Sequence, residues 1–111
     1  MDNLHDFGVD EGMLRTLAMD YKNKGIEGNQ LSLIREAEGL YTMLVEKSPS
    51  EYTYYMELCE IYMHVKNYGL AYAIIARLKL RLEIDESEND NVKKYVDVAE
   101  KEIKKLKAKY K

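Results

Sequence analysis

Apolar residues recur every three or four positions along almost the whole chain, and this spacing constrains the fold more than any other feature. A period near 3.6 residues places apolar side chains on one face of an α-helix, whereas a half-buried strand would alternate strictly. The pattern predicts five amphipathic helices, over about 10–24, 29–47, 49–66, 68–83 and 90–111. We therefore expect an all-α protein with no sheet.

The sharpest predicted boundary is the stretch Ser48-Pro49-Ser50-Glu51, which holds the only proline of the chain. Serine is a favoured N-cap, and proline is tolerated at the first helical position because its missing N–H costs nothing there. A glutamate three residues after the cap completes a capping box. The stretch therefore predicts that the third helix begins at Pro49.

Length and composition indicate one small folded domain. A chain of 111 residues has room for one modest core, so we expect a single domain over 1–111 with a flexible segment at 1–9. Hydrophobic residues make up 46% and charged residues 33%, and no apolar run approaches membrane-spanning length. The first residues have neither the basic start nor the apolar core of a secretory signal, so we predict a cytoplasmic protein without a membrane partner.

The charge of the chain changes sign between its two ends. The net charge is −3, acidic residues crowd the start, and the end carries Lys101, Lys104, Lys105, Lys107, Lys109 and Lys111. These lysines alternate with Ile103, Leu106 and Tyr110, which is typical of an amphipathic helix with a solvated face. We expect this helix to pack on its neighbour and do not expect it to bind nucleic acid.

The sequence offers no pattern for catalysis or for a bound cofactor. Cys59 is the only cysteine, and with His5 and His64 it does not give the spacing of a zinc site. A calcium loop starting at Asp85, the first aspartate of the acidic stretch "IDESEND", would need glycine where Asp90 stands and glutamate where Val96 stands. We predict that the protein is not an enzyme, that it needs no cofactor, and that Cys59 is a buried structural residue.

The helices carry an internal repeat. The first and third predicted helices share one apolar spacing, filled by Leu14, Leu17, Ala18 and Tyr21 in one and by Tyr55, Leu58, Cys59 and Tyr62 in the other. In the second and fourth helices, Ala37 and Ala71 are 34 residues apart, as are Tyr41 and Ile75. Helix pairs that recur with a fixed period stack into a solenoid.

These residues resemble the tetratricopeptide repeat family, whose unit has a large residue, a leucine, a small residue and a tyrosine, then Ala-x-x-x-Phe and a proline. The part from Tyr55 to Ile75 fits best, although about seven extra residues lie between Tyr21 and Ala37 in the preceding unit. The resemblance implies a short right-handed solenoid with two helical hairpins and a C-terminal packing helix.

In that family the ligand lies in a concave groove lined by the first helix of each pair. The resemblance therefore implies a non-catalytic adaptor or chaperone-like module that binds a protein or peptide. It implies a partner-binding set of Arg15, Met19, Lys22, Met56, Glu57, Glu60, Met63 and His64. Methionines beside glutamates suit a partner with apolar and basic residues. Tyr52 and Tyr54 are expected to be exposed and offer an edge interface instead.

Size and acidity also fit a second function. The alternative is a small acidic inhibitor or regulator, of phage or mobile-element type, that blocks the basic site of a larger enzyme or nucleic-acid complex. Two repeat units and one helix leave an uncapped end, so a homodimer is a further expectation.

Overall fold

Five α-helices make up 83% of the described residues, which are 10–109 in this computed structural model, and none of these residues lies in a strand. The helices are α1 (Glu11–Glu27), α2 (Leu31–Lys47), α3 (Thr53–His64), α4 (Tyr68–Ile84) and α5 (Asp90–Lys109). The all-helical prediction is confirmed. The predicted flexible segment 1–9 and Tyr110 lie outside the described residues. Between 10 and 109, no helix is long and apolar enough to cross a membrane.

The third helix begins at Thr53, so the prediction of a start at Pro49 is wrong. Ser48 does not act as its cap, because the Ser48 hydroxyl donates to the Glu11 carboxylate at 2.5 Å. The carbonyl of Pro49 accepts a hydrogen bond from the Tyr55 hydroxyl at 2.5 Å, which replaces a helical amide as its partner. Two side-chain hydrogen bonds therefore hold this stretch as a turn.

The chain divides into two compact units, the first ending at Ser48 and the second beginning at Pro49. In the first unit α1 packs against α2, and in the second unit α4 packs against both α3 and α5. Units of this size are small for independent domains. The single domain over 1–111 therefore stays a prediction, because the division into two units does not test whether they fold together.

In the second unit, α4 and α5 run antiparallel. Lys79 Nζ lies 3.6 Å from Glu100 Oε2, and Lys107 Nζ lies 5.4 Å from the centre of the Tyr72 ring, so rising positions on α4 meet falling positions on α5. The buried apolar residues of this unit are Tyr54, Tyr55, Leu58, Cys59, Ile61, Ala71, Ile74, Ile75, Leu78, Leu82, Val92, Val96 and Ile103. The predicted packing of the basic C-terminal helix on its neighbour is confirmed.

Three interhelical turns share one backbone geometry. Each contains a residue with positive φ, namely Asn29 (49°), Lys66 (62°) or Glu86 (51°). The amide of this residue bonds to the carbonyl three positions earlier, and the next amide bonds to the carbonyl five positions before it. This is the Schellman pattern, which satisfies carbonyls at a helix end and reverses the chain tightly. The same short turn therefore closes α1, α3 and α4.

The turns also define which positions of the two units correspond. Asn29 and Lys66 hold the same place and are 37 residues apart, so Ile34 corresponds to Ala71. The 34-residue period that pairs Ala37 with Ala71 does not apply at the turns. The same comparison makes Gly25 correspond to Tyr62. The first hairpin therefore has its small residue on the first helix and its large residue on the second, and the α3–α4 hairpin has the reverse.

Gly25 lies inside α1, where it is buried, so the helix continues beyond the predicted end near residue 24. A Cβ atom at this position would stand 2.7 Å from Ile34 Cγ1 and 2.9 Å from the Ile34 backbone nitrogen. Real side chains do not approach backbone that closely, so any larger residue must push α1 and α2 apart. The first hairpin therefore depends on glycine at this contact.

We predict that Gly25→Ala lowers the free energy of unfolding by about 1 to 3 kcal/mol, because the added methyl group overpacks the α1–α2 contact. Gly39→Ala is the matched control, since an added Cβ at this helical position meets nothing within 4 Å. The control should raise stability by about 0.5 to 1 kcal/mol through helix propensity. Urea denaturation measures both changes. Equal stabilisation by the two substitutions would contradict the close approach.

Candidate functional site

The eight predicted partner-binding residues lie on α1 and α3 in different environments. Arg15, Met19, Glu60 and His64 are exposed, Met56, Glu57 and Met63 are partly buried, and Lys22 is buried. On α1, Arg15 Nη2 lies 3.7 Å from Glu11 Oε2, while 46% of Met19 is exposed. Seven of the eight residues therefore keep some access to a partner.

The prediction that Lys22 contacts a partner is wrong, because only 7% of this residue is exposed. The sequence pattern placed the apolar residues of α1 inward, yet the buried residues of this helix are Ala18, Lys22 and Gly25, while Leu17 is 42% exposed. Small residues let α1 approach closely, and the long apolar stem of a lysine can fill space beside them. Lys22 therefore belongs to the packing of the first unit, and it offers little surface to a partner.

On α3, the predicted strip lies beside a contact with α5. The Tyr95 hydroxyl donates to the Met56 carbonyl at 3.3 Å. Burial raises the pKa of Tyr95, and the nearby Cys59 and Glu60 raise it further. Burial likewise raises the pKa of the Cys59 thiol, which makes it a poor nucleophile. The predicted burial of Cys59 is confirmed, and the Tyr95 side chain of α5 contacts the backbone of Met56.

What remains accessible on this helix is a strip that we call the α3 strip, formed by Glu57, Glu60, Met63 and His64. The spacings of three and four residues place these side chains on neighbouring parts of the helix surface. Glu60 and His64 are exposed, and Glu57 and Met63 are partly buried. The α3 strip has two carboxylates, one thioether and one imidazole, a set that can contact a basic and apolar segment.

The expected exposure of Tyr54 is wrong, and Tyr52 is only partly exposed. Tyr54 is 1% exposed, because it lies four residues before Leu58 and seven before Ile61 on a second buried face of α3. Tyr52 is partly buried, and its hydroxyl donates to Asp85 Oδ2 at 2.7 Å. Tyr54 is therefore a buried residue, and the Tyr52 hydroxyl is held by a hydrogen bond within the second unit.

Asp85 joins the end of α4 to the start of α3. Its carboxylate accepts the Tyr52 hydroxyl, and its other oxygen accepts Arg81 Nε at 3.1 Å. The hydrogen bond from Tyr52, followed by one from Ser50, lowers the pKa of Asp85. The same bond from the phenol to the carboxylate raises the pKa of Tyr52. This polar cluster fixes one end of the α3–α4 hairpin.

One apolar surface that the sequence pattern missed lies on α4. Its predicted inward residues Ala71, Ile75 and Leu78 are buried, as expected. The opposite side, which we call the α4 outer face, carries the apolar residues Leu70, Ala73, Ala76, Leu80 and Ile84, with the exposed Arg77 among them. The exposed fractions are 44% for Leu70, 56% for Leu80 and 59% for Ile84. Charged residues are few in this helix, and that scarcity was the available signal.

A cleft of about 430 Å³ lies between the second half of α4 and the first half of α5. Its residues, which define the α4–α5 cleft, are Lys79, Leu82, Glu83, Glu86, Ser87, Glu88, Lys93, Val96 and Asp97. Leu82 and Val96 are buried and form an apolar floor, while the other side chains form a polar rim. The cleft can therefore take an apolar group with polar or charged neighbours.

The described residues contain no group of three or more histidine, cysteine, aspartate or glutamate side chains that could hold a metal ion. Comparison of the chain with protein-family models, with curated proteins and with solved structures finds no match. The tetratricopeptide resemblance therefore stays a prediction. The exposed surfaces of α3 and α4 and the α4–α5 cleft supply the physical basis for a functional proposal.

We predict that Asp85→Asn makes thermal stability less sensitive to acid. Because the folded state lowers the pKa of Asp85, its hydrogen bonds stabilise the fold above the unfolded pKa of about 3.9 and are lost as pH falls through the lowered value. The melting temperature of the parent should therefore fall more between about pH 6 and pH 2.5 than that of the variant. Glu46→Gln, at an exposed carboxylate, is the control. Parallel curves for parent and Asp85→Asn would contradict the role of Asp85.

Proposed function

We propose that the protein is a binding module that recognises another protein through the α4 outer face. The observation that carries the proposal is the exposure of Leu70, Leu80 and Ile84 on a helix whose other sides pack against α3 and α5. An exposed apolar helix face that persists in a folded protein is typical of an interaction site.

The shape of the α4 outer face favours a helical partner. Ala73 and Ala76 lie between the larger Leu70 and Leu80, so the middle of the face is low and its ends are high. Small side chains allow two helices to approach closely, and larger residues on either side then pack into the grooves of the partner. An amphipathic helix with apolar residues at three-four spacing would fit this surface.

Two exposed charged residues of α4 accompany the apolar residues of the outer face: Arg77 lies among them and Glu83 lies at their edge. A partner for this face should therefore place a carboxylate opposite Arg77 as well as apolar side chains opposite the leucines. Interfaces commonly combine an apolar centre, which contributes most of the affinity, with arginine and a polar rim. The partner-binding role expected from the sequence is therefore retained, with its centre moved from the first helix of the pair to the second.

The α3 strip is a second place at which a partner can bind. Its Glu57 and Glu60 favour a basic partner. This surface is more polar than the α4 outer face and therefore offers less apolar area for burial. Substitutions on α3 and α4 separate the two locations, because they lie in different helices and change different chemistry.

We predict that Leu80→Glu combined with Ile84→Glu weakens partner binding by at least about tenfold, because two carboxylates would be buried in an apolar interface. The partner is first captured from the native cell with the parent protein, identified by mass spectrometry, purified and titrated. Met43→Glu combined with Val98→Glu is the matched control, since these residues are 53% and 63% exposed and lie outside α4. Both double variants should melt close to the parent.

A Leu80→Glu and Ile84→Glu variant that binds the purified partner as tightly as the parent would contradict the proposal. Glu57→Lys combined with Glu60→Lys tests the α3 strip in the same titration, and loss of binding only there would move the site to α3. Light scattering on the purified parent measures its molar mass in solution and would reveal a second copy of the chain as the partner. A monomer–dimer equilibrium abolished by the α4 variant would place a homodimer on the α4 outer face.

A further inference from the structure

We propose that the α4–α5 cleft is a peptide-binding site for a short segment with one aliphatic side chain between basic residues. This inference goes beyond the proposed function, because the site is a concave cleft with its own chemistry and does not use the α4 outer face. Its lining residues all belong to the second unit. The proposal rests on the floor, the walls and the charge of the cleft.

The floor of the cleft fits an aliphatic side chain. Leu82 is 5% exposed and Val96 is 2% exposed, and both line the cleft from opposite helices. No charged side chain replaces them at the bottom, since the charged lining residues Lys79, Glu83, Lys93 and Asp97 are exposed. A volume of about 430 Å³ lies within the usual range of binding pockets. An aliphatic group placed here would lose water without burying a charge.

The walls of the cleft are fixed before any ligand arrives. The amide of Glu86 bonds to the Glu83 carbonyl at 3.1 Å, and the amide of Ser87 bonds to the Leu82 carbonyl at 2.9 Å. Further along the turn, the Ser87 hydroxyl accepts the Asn89 amide and the Asn89 side chain accepts the Val92 amide, each at 3.1 Å. The loop that closes the cleft therefore has little conformational freedom to lose on binding.

The charge of the rim favours basic neighbours around the aliphatic group. Four carboxylates line the cleft, from Glu83, Glu86, Glu88 and Asp97, against the two ammonium groups of Lys79 and Lys93. Lys79 is already close to a carboxylate, with Nζ 3.6 Å from Glu100 Oε2. The excess negative charge is complementary to lysine or arginine and repels an acidic segment. The floor selects the aliphatic residue, and the rim selects its neighbours.

The test uses the full chain and a fluorescent synthetic peptide, Arg-Lys-Leu-Lys-Arg, titrated by fluorescence anisotropy. We expect saturable binding to the parent. Replacement of the peptide leucine by alanine should weaken binding by about tenfold, because the apolar floor loses its occupant. The acidic peptide Glu-Asp-Leu-Glu-Asp should not bind.

The matched protein variants separate the cleft from the overall charge. Glu83→Gln combined with Glu86→Gln should weaken binding of the basic peptide by about tenfold, whereas Glu36→Gln combined with Glu46→Gln, which changes the net charge equally on exposed residues of the first unit, should change it less than about twofold. Circular dichroism at increasing temperature verifies that both double variants keep the fold intact.

Three results would overturn the inference: no binding of the basic peptide, equal binding of the leucine and alanine peptides, or equal weakening by the two pairs of substitutions. The second and third results would indicate attraction by net charge alone. Because the native partner is not used, failure here leaves the proposal for the α4 outer face standing. Failure of the α4 test likewise leaves the peptide titration valid.

Discussion

The arrangement of the second unit depends on one constraint, which is that α4 carries apolar residues on two opposite sides. One neighbouring helix cannot cover all of this apolar surface, because each packed helix covers only part of the circumference of α4. α3 and α5 both pack on α4, and they bury residues such as Ile75 and Leu78. The remaining side carries Leu80 and Ile84, which face solvent. Fold and proposed function therefore follow from one helix that has more apolar surface than the unit itself covers.

The polar groups around α4 fix its position without covering that surface. Asp85 ties the end of α4 to the start of α3 through the Tyr52 hydroxyl. Lys79 of α4 pairs with Glu100 of α5, and Lys107 of α5 lies over the Tyr72 ring of α4. A Schellman turn then directs the chain from α4 toward α5 and forms one wall of the α4–α5 cleft. These contacts lie at the ends and one side of the helix. The α4 outer face is left open, and the cleft is preformed.

The sequence predicts most of the fold but less of the candidate site, for a physical reason. Period and capping signals identify five helices to within a few residues, except where side-chain hydrogen bonds to Glu11 and from Tyr55 compete with helix formation near Pro49. Which face of a helix is buried depends on the neighbours as well as on the pattern. Lys22 is buried on the same side of α1 as Ala18 and Gly25, and Tyr54 is buried on a second face of α3. On α4 the pattern has little contrast between faces, so the α4 outer face could not be distinguished from the core without the packing.

The most direct measurement compares two leucines on α4 by urea denaturation. Leu78 is fully buried and Leu80 is 56% exposed, although only one residue separates them. We predict that Leu78→Ala lowers the free energy of unfolding by about 2 to 5 kcal/mol, while Leu80→Ala changes it by no more than about 0.5 kcal/mol. That result would place the core on one side of α4 and an uncovered apolar face on the other. Equal losses from the two substitutions would show that both sides of α4 are structural and would contradict the account.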